Sequence, residues 1–176
     1  MTFNNAKKMN RKIFLLKTAI GAGSLLAMPS VGLAQIISEP GETLPAEKVK
    51  EFVKAGHTDL EKTKQMLVEI PNLIYAAWDW GGGDFETALE GAGHMGNKEI
   101  ANFLISKGAR TNLFVLTMLG KTQLVKSFLE LFPQYLTARG PHGLTLLHHA
   151  QKGGDDSKEL FNYFQSKGLK DTFLKL

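Results

Sequence analysis

The stretch Gly143-Leu144-Thr145-Leu146-Leu147-His148-His149-Ala150 decides the predicted fold. An earlier stretch, Thr87-Ala88-Leu89-Glu90-Gly91-Ala92, has threonine, leucine and alanine at the same positions. Each stretch predicts the first helix of a helix pair, and the small Ala92 and Ala150 allow neighbouring helices to approach closely. Self-similarity of this kind is typical of repeat architectures. We therefore expect one helical unit to recur along the chain.

The second helices of the pairs also correspond. The run from Gly96 to Ile105 aligns with the run from Gly120 to Leu129, and each has apolar residues four, five, eight and nine positions after the glycine. This spacing forms one apolar face of a helix. We predict four helix pairs, at about 45–55 with 59–69, 85–95 with 97–106, 113–119 with 121–131, and 144–152 with 157–166.

These patterns resemble the ankyrin repeat. Gly143 to Ala150 is similar to its G-x-T-P-L-H-x-A signature, with Leu146 in place of the proline, and residues 99–109 are similar to its second helix and turn. The resemblance implies an all-α ankyrin-repeat solenoid of about four helix-turn-helix repeats in a domain over 45–176. The implied repeats are about 45–75, 84–112, 113–139 and 140–170. The residues with implied structural roles are Thr87, Gly96, Gly108, Gly120, Thr145 and His148.

The first 34 residues are typical of a cleavable signal peptide. A basic segment over 9–17 leads into a weakly apolar run over 18–28, and Gly32 and Ala34 supply the small residues that precede cleavage after Ala34. Residues 35–44 are then a short linker. Export to the periplasm or outside the cell is expected, by a twin-arginine-like or a Sec route, from a start at Met1 or Met9. An uncleaved N-terminal anchor is the alternative.

Charge and cysteine content exclude several classes of function. The net charge is +4, but residues 1–34 carry five cations and no carboxylate, which leaves 16 basic against 17 acidic residues in the rest. A near-neutral body offers no basic surface for nucleic acid. The chain has no cysteine, so disulfides and thiolate metal sites are excluded. We expect a monomer that is not an integral membrane protein after signal cleavage.

The resemblance implies that the domain binds an unidentified protein partner outside the cytoplasm. The contact is predicted along the concave face and around the inserted segment Trp78-Asp79-Trp80-Gly81-Gly82-Gly83-Asp84-Phe85, which holds both tryptophans of the chain. Tryptophan is favoured at the centre of protein interfaces. The predicted partner-binding residues are Trp78, Trp80, Asp84, Phe85, His94, His142 and His149. Packing of one or both tryptophan rings against the repeats is the alternative.

Catalysis and cofactor binding are not expected from the sequence. It has no H-x-x-x-H or H-E-x-x-H spacing and no serine-nucleophile motif. We therefore predict no catalytic residues, no metal and no cofactor. His148 is expected to bind backbone groups and His149 to face the concave side. The alternative that stays open is a small-ligand or metal-binding protein, or a hydrolase, that uses the segment 78–85 with nearby histidine and aspartate side chains.

Overall fold

The computed structural model describes residues 42–175, which are mostly helical. The predicted signal peptide and residues 35–41 of the predicted linker lie outside this part of the chain. Within it, four pairs of α-helices follow one another, with a short β-hairpin between the first two pairs. The elements are α1 (Ala46–Thr58), α2 (Leu60–Glu69), β1 (Ala77–Asp79), β2 (Phe85–Thr87), α3 (Ala88–Met95), α4 (Lys98–Ser106), α5 (Leu113–Met118), α6 (Thr122–Leu131), α7 (Leu146–Gly153) and α8 (Lys158–Ser166). Short 3₁₀ turns lie at Pro71–Tyr75, Pro133–Thr137, Pro141–Gly143 and Gly154–Ser157.

Polar side chains determine where the helices begin. Thr87 accepts a hydrogen bond from the backbone N–H of Glu90, whose carboxylate accepts the N–H of Thr87 in return. Asn97, Asn112 and Thr145 cap α4, α5 and α7 through their side-chain oxygens. Such caps satisfy backbone donors that have no partner inside the helix.

The first helices of successive pairs contact one another in the order α1, α3, α5 and α7, and each second helix packs against its own first helix. Small residues permit this approach. A Cβ at Gly56 would collide with Ala88, and one at Gly120 would overlap the carbonyl oxygen of Asp156. α1 extends to Thr58 and so contains Gly56, whereas the sequence predicted that this helix ends near residue 55. The glycine serves helix packing there and does not end the helix.

The buried side chains form two apolar clusters. The first joins α1 to α5 and includes Phe52, Val53, Leu89 and Leu104. The second joins α5 to α8 and includes Leu146, Leu160 and Phe164. No helix within residues 42–175 is long and apolar enough to cross a membrane.

The inserted segment forms an antiparallel hairpin in which Trp78 pairs with Glu86. The carboxylate of Asp79 accepts hydrogen bonds from the backbone N–H groups of Gly81 and Gly83, which fixes the turn. Gly81, Gly82 and Gly83 all have positive φ angles, which glycine adopts without steric penalty. The fold is therefore helical with one strand pair, where the sequence predicted helices alone. Because side chains alternate across a strand, the hairpin directs Glu86 inward and Phe85 outward.

Candidate metal centre

Three histidines and one glutamate from four separate segments converge beside the hairpin. His57 lies in the last turn of α1, Glu86 in β2, His94 in α3 and His142 in the 3₁₀ turn at Pro141–Gly143. One ligand atom of each side chain lies within 4.8 Å of the corresponding atoms of the other three. We call these four side chains the His/Glu cluster.

The side chains of the His/Glu cluster approach one another closely. His94 Nε2 lies 2.7 Å from Glu86 Oε1 and 3.1 Å from His57 Nε2. Glu86 Oε2 lies 3.4 Å from His57 Nε2 and 3.5 Å from His142 Nε2. A tetrahedral zinc ion with bonds of about 2.0–2.1 Å holds its ligand atoms about 3.3 Å apart. The four groups are therefore close enough for small side-chain movements to bring them around one ion.

Hydrogen bonds at Nδ1 fix the ring orientation of two histidines. His57 Nδ1 lies 2.9 Å from the carbonyl oxygen of Val53, and His142 Nδ1 lies 2.7 Å from Asp84 Oδ2. Both oxygens can only accept, so each Nδ1 carries the proton. The Nε2 lone pairs of both rings are then available inside the cluster. This arrangement, with one ring nitrogen bound to an oxygen acceptor and the other free, is usual for histidines that bind metals.

The Glu86 carboxylate is fully buried, with 0% of the residue exposed. Its Oε2 accepts a hydrogen bond from Trp80 Nε1 at 2.7 Å. Its Oε1 lies 2.7 Å from His94 Nε2 and has no other close polar contact among the described residues, and the same His94 nitrogen lies 3.1 Å from His57 Nε2. A buried carboxylate is energetically costly unless donors or a cation compensate its charge, and a bound cation would do so here.

The pKa of Glu86 is lower than that of an ordinary glutamate. Burial raises this pKa, but the close contact with His94, the nearby ring of His57 and the hydrogen bond from Trp80 together outweigh burial. The carboxylate is therefore ionised at neutral pH. The cluster thus combines one negative charge with imidazole nitrogens, which is a ligand set that a divalent cation would neutralise.

Trp80 covers the cluster on its solvent side. Its ring centroid lies 6.5 Å from that of His57 and 6.1 Å from that of His142, and 37% of the residue is exposed. His57 and His142 are themselves partly exposed, so an ion has a route from solvent. On the protein side, Gly91 leaves the space that the His57 ring occupies, because a Cβ there would lie 2.8 Å from two ring atoms.

The structure brings together four of the residues that the sequence assigned to partner binding. Trp80, His94 and His142 contact Glu86, and Asp84 binds His142, so these polar groups are directed into the cluster. His94 is buried and therefore cannot contact a partner on an open face as predicted.

His149 does not have the predicted position either. The sequence placed it on the concave face, but only 1% of the residue is exposed, and its Nδ1 lies 2.8 Å from the carbonyl oxygen of Thr145. Burial lowers the pKa of His149 to about 3, so it stays neutral. His148 Nε2 binds the carbonyl oxygen of His94 at 2.9 Å, which is a structural contact to the backbone.

The remaining two predicted partner residues lie on the hairpin. Trp78 is half-buried against the first apolar cluster, with Lys50 Nζ 5.3 Å from its ring centroid. This position agrees with the packing alternative for one tryptophan. Phe85 is 60% exposed and is the most accessible aromatic side chain of the hairpin.

Sequence reasoning missed His57 and Glu86. His57 lies beyond the predicted end of its helix, and Glu86 lies in a segment that had no predicted strand. The sequence does contain one shared feature, which is a glycine next to each cluster histidine, in Gly56-His57, Gly93-His94 and His142-Gly143. No family model, curated protein or solved structure matches this chain.

Proposed function

We propose that the protein binds one divalent transition-metal ion, zinc in the first place, through His57, Glu86, His94 and His142. The observation that carries the proposal is the convergence of three imidazole nitrogens on a fully buried, ionised carboxylate. The spacing of 2.7–3.5 Å between the measured ligand pairs supports a single ion.

The donor set favours zinc over the alkaline-earth ions. Imidazole nitrogens suit zinc, copper, nickel and iron, whereas calcium and magnesium prefer oxygen ligands. Three nitrogens and one carboxylate oxygen therefore predict strong binding of zinc and weak binding of calcium or magnesium.

A structural role follows from the number of protein ligands. Four protein ligands fill a tetrahedral zinc site, and catalytic zinc sites usually keep one position for water or substrate. We propose that the ion connects α1, the hairpin, α3 and the turn at Pro141–Gly143, and that the protein has no catalysis of its own. Since a ligand of the native state stabilises it, zinc at about 100 times its dissociation constant would add about 2.7 kcal/mol to the free energy of unfolding.

The test is a zinc titration of the full chain after treatment with a chelator, followed by calorimetry. We expect one zinc per chain and a higher melting temperature. The informative variant is His94→Gln, and His149→Gln is the matched control, because both histidines are buried on first helices but only His94 belongs to the cluster. Zinc affinity should fall about 100-fold or more in His94→Gln and stay within a few-fold of wild type in the control.

Two results would contradict the proposal. The first is a wild-type chain that binds no zinc under these conditions. The second is equal zinc affinity in wild type and His94→Gln, which would place the ion elsewhere. Circular dichroism of both variants before the titration verifies that each is folded.

A second candidate function is protein-partner binding by an exported ankyrin-type module, and the two functions are compatible. Four helix pairs whose first helices contact in sequence order support this proposal, as does the exposed Phe85 at the hairpin. The test compares proteins captured from an envelope extract by wild type and by Phe85→Ala. Capture of the same proteins in equal amounts by both chains would exclude Phe85 from the interface.

A further inference from the structure

Asp84 holds His142 through two hydrogen bonds. Its Oδ1 accepts the backbone N–H of His142 at 2.8 Å, and its Oδ2 accepts the Nδ1–H of the ring at 2.7 Å. The Asp84 side chain is only 11% exposed, so these bonds are largely shielded from water. One carboxylate thus fixes both the backbone and the ring of a residue that is 58 positions away in the sequence.

The backbone of His142 shows that this contact is specific. Its φ is 59° and its ψ is 17°, and it is the only non-glycine residue with a positive φ within residues 42–175. Only a few per cent of residues other than glycine adopt this left-handed conformation, and histidine is, with asparagine and aspartate, among those found there more often. Unfavourable backbone conformations of this kind persist where surrounding contacts hold them, often at functional sites. Here the hydrogen bond from the backbone N–H to Asp84 is such a contact.

We infer that Asp84 is a positioning residue for the metal site, and that it acts through His142. This inference rests on the proposed function. The carboxylate keeps the proton on Nδ1, so Nε2 presents its lone pair toward Glu86, 3.5 Å away. His57 is oriented by a neutral backbone carbonyl. Of these two rings, only His142 has its orientation set by a charged side chain.

The test is Asp84→Asn in the full chain, with zinc as the probe. The amide has one acceptor oxygen for two donors. If that oxygen binds the backbone N–H, the amide N–H₂ faces Nδ1 and forces the proton onto Nε2, where it opposes metal binding. We expect zinc affinity to fall 10–100-fold, which is the usual effect of losing such a partner.

Asp79→Asn is the matched control. It makes the same substitution in the same hairpin, and Asp79 binds only the turn N–H groups of Gly81 and Gly83. Zinc affinity should stay within a few-fold of wild type in this variant. If wild type and Asp84→Asn bind zinc equally, the inference is wrong while the metal site stands. If wild type binds no zinc, the proposed function itself fails.

A double-mutant cycle separates positioning from a general effect on the hairpin. His142→Asn removes the ring and keeps a residue that tolerates the left-handed backbone. In that background, Asp84→Asn should lower zinc affinity by less than two-fold. A loss as large as in the wild-type background would show that Asp84 acts by another route.

A measurement on the wild-type chain avoids variants that fail to fold. Long-range ¹H–¹⁵N NMR spectra of the zinc-loaded protein distinguish the two imidazole tautomers. The spectrum should show His142 protonated at Nδ1. Protonation at Nε2 would overturn the inference.

Discussion

Adding one methyl group at Gly91 should weaken zinc binding by removing His57 from the site. A Cβ at Gly91 would lie 2.8 Å from Cε1 and Nδ1 of His57 and 3.3 Å from its Cγ. Ordinary contacts between carbon atoms are about 3.5–4.0 Å, so the ring must move by about 0.7 Å or more. Metal–ligand distances tolerate about 0.2 Å. We expect zinc affinity to fall 10–100-fold in Gly91→Ala, or about 1.4–2.7 kcal/mol of binding free energy.

Gly93→Ala is the control for this change. Gly93 lies on the same helix, and its Cβ would lie 3.1 Å from Val115 Cγ2, so the added methyl group meets the core and no cluster ligand. Alanine favours a helix over glycine by about 0.5–1 kcal/mol, which offsets part of the crowding in both variants. Metal-free stability should therefore change by similar amounts in the two variants.

The assay is a zinc titration against a competing chelator, with tryptophan fluorescence as the signal and urea unfolding of the metal-free chains beside it. Equal zinc affinity in Gly91→Ala and Gly93→Ala would refute the reasoning. That result would mean that the His57 ring moves without consequence for the ion and is not a ligand.

Three further predictions concern stability and the fluorescence signal. His149 has its pKa lowered to about 3 by burial, against an unfolded value of about 6.5, so its stabilising contribution is complete above pH 6.5 and is lost as the pH falls toward 3. Between pH 7 and pH 5, the free energy of unfolding of the metal-free wild type, measured with urea, should fall by about 2 kcal/mol more than that of His149→Asn. Equal falls in the two chains would show that His149 does not cause the pH dependence. Gly120→Ala should lower the free energy of unfolding, measured with urea, by about 3 kcal/mol or more, because φ is +65° and the methyl group would meet Asp156. Gly82→Ala is the control, since its φ is +66° but the space around it is open, and it should lower the free energy of unfolding by only about 1–2 kcal/mol. Trp80→Phe should abolish the fluorescence change on zinc addition while Trp78→Phe retains it, and the reverse result would show that the hairpin is differently oriented.

The positions of the helices were largely predictable because their signals are local. The apolar spacing after Gly96 and Gly120 predicted α4 and α6 close to their observed bounds. The end of α1 was predicted too early, because glycine frequently ends helices. At Gly56 the absence of a side chain instead permits contact with Ala88, which depends on a helix distant in sequence.

The geometry of the His/Glu cluster could not be predicted from the sequence, because its four side chains lie on different elements. Recognisable zinc spacings place two or more ligands on one helix or loop, where the distance between them is fixed. Here Glu86 and His94 lie on a strand and the following helix, and His57 and His142 come from distant segments. The hairpin turns Glu86 inward, and Asp84 orients His142; neither contact has a local sequence signal. Of the four cluster residues, the sequence singled out only His94 and His142, and it assigned both to partner binding.

The distribution of the ligands over four segments has a consequence for folding kinetics. α1, the hairpin, α3 and the turn at Pro141–Gly143 must all be in place before the cluster exists. Contacts that form after the transition state affect the rate of unfolding far more than the rate of folding. A bound ion would therefore lengthen the lifetime of the folded chain without helping it to fold. The supply of metal would then determine how long each molecule lasts, while the number of molecules that reach the native state would depend on helix packing alone.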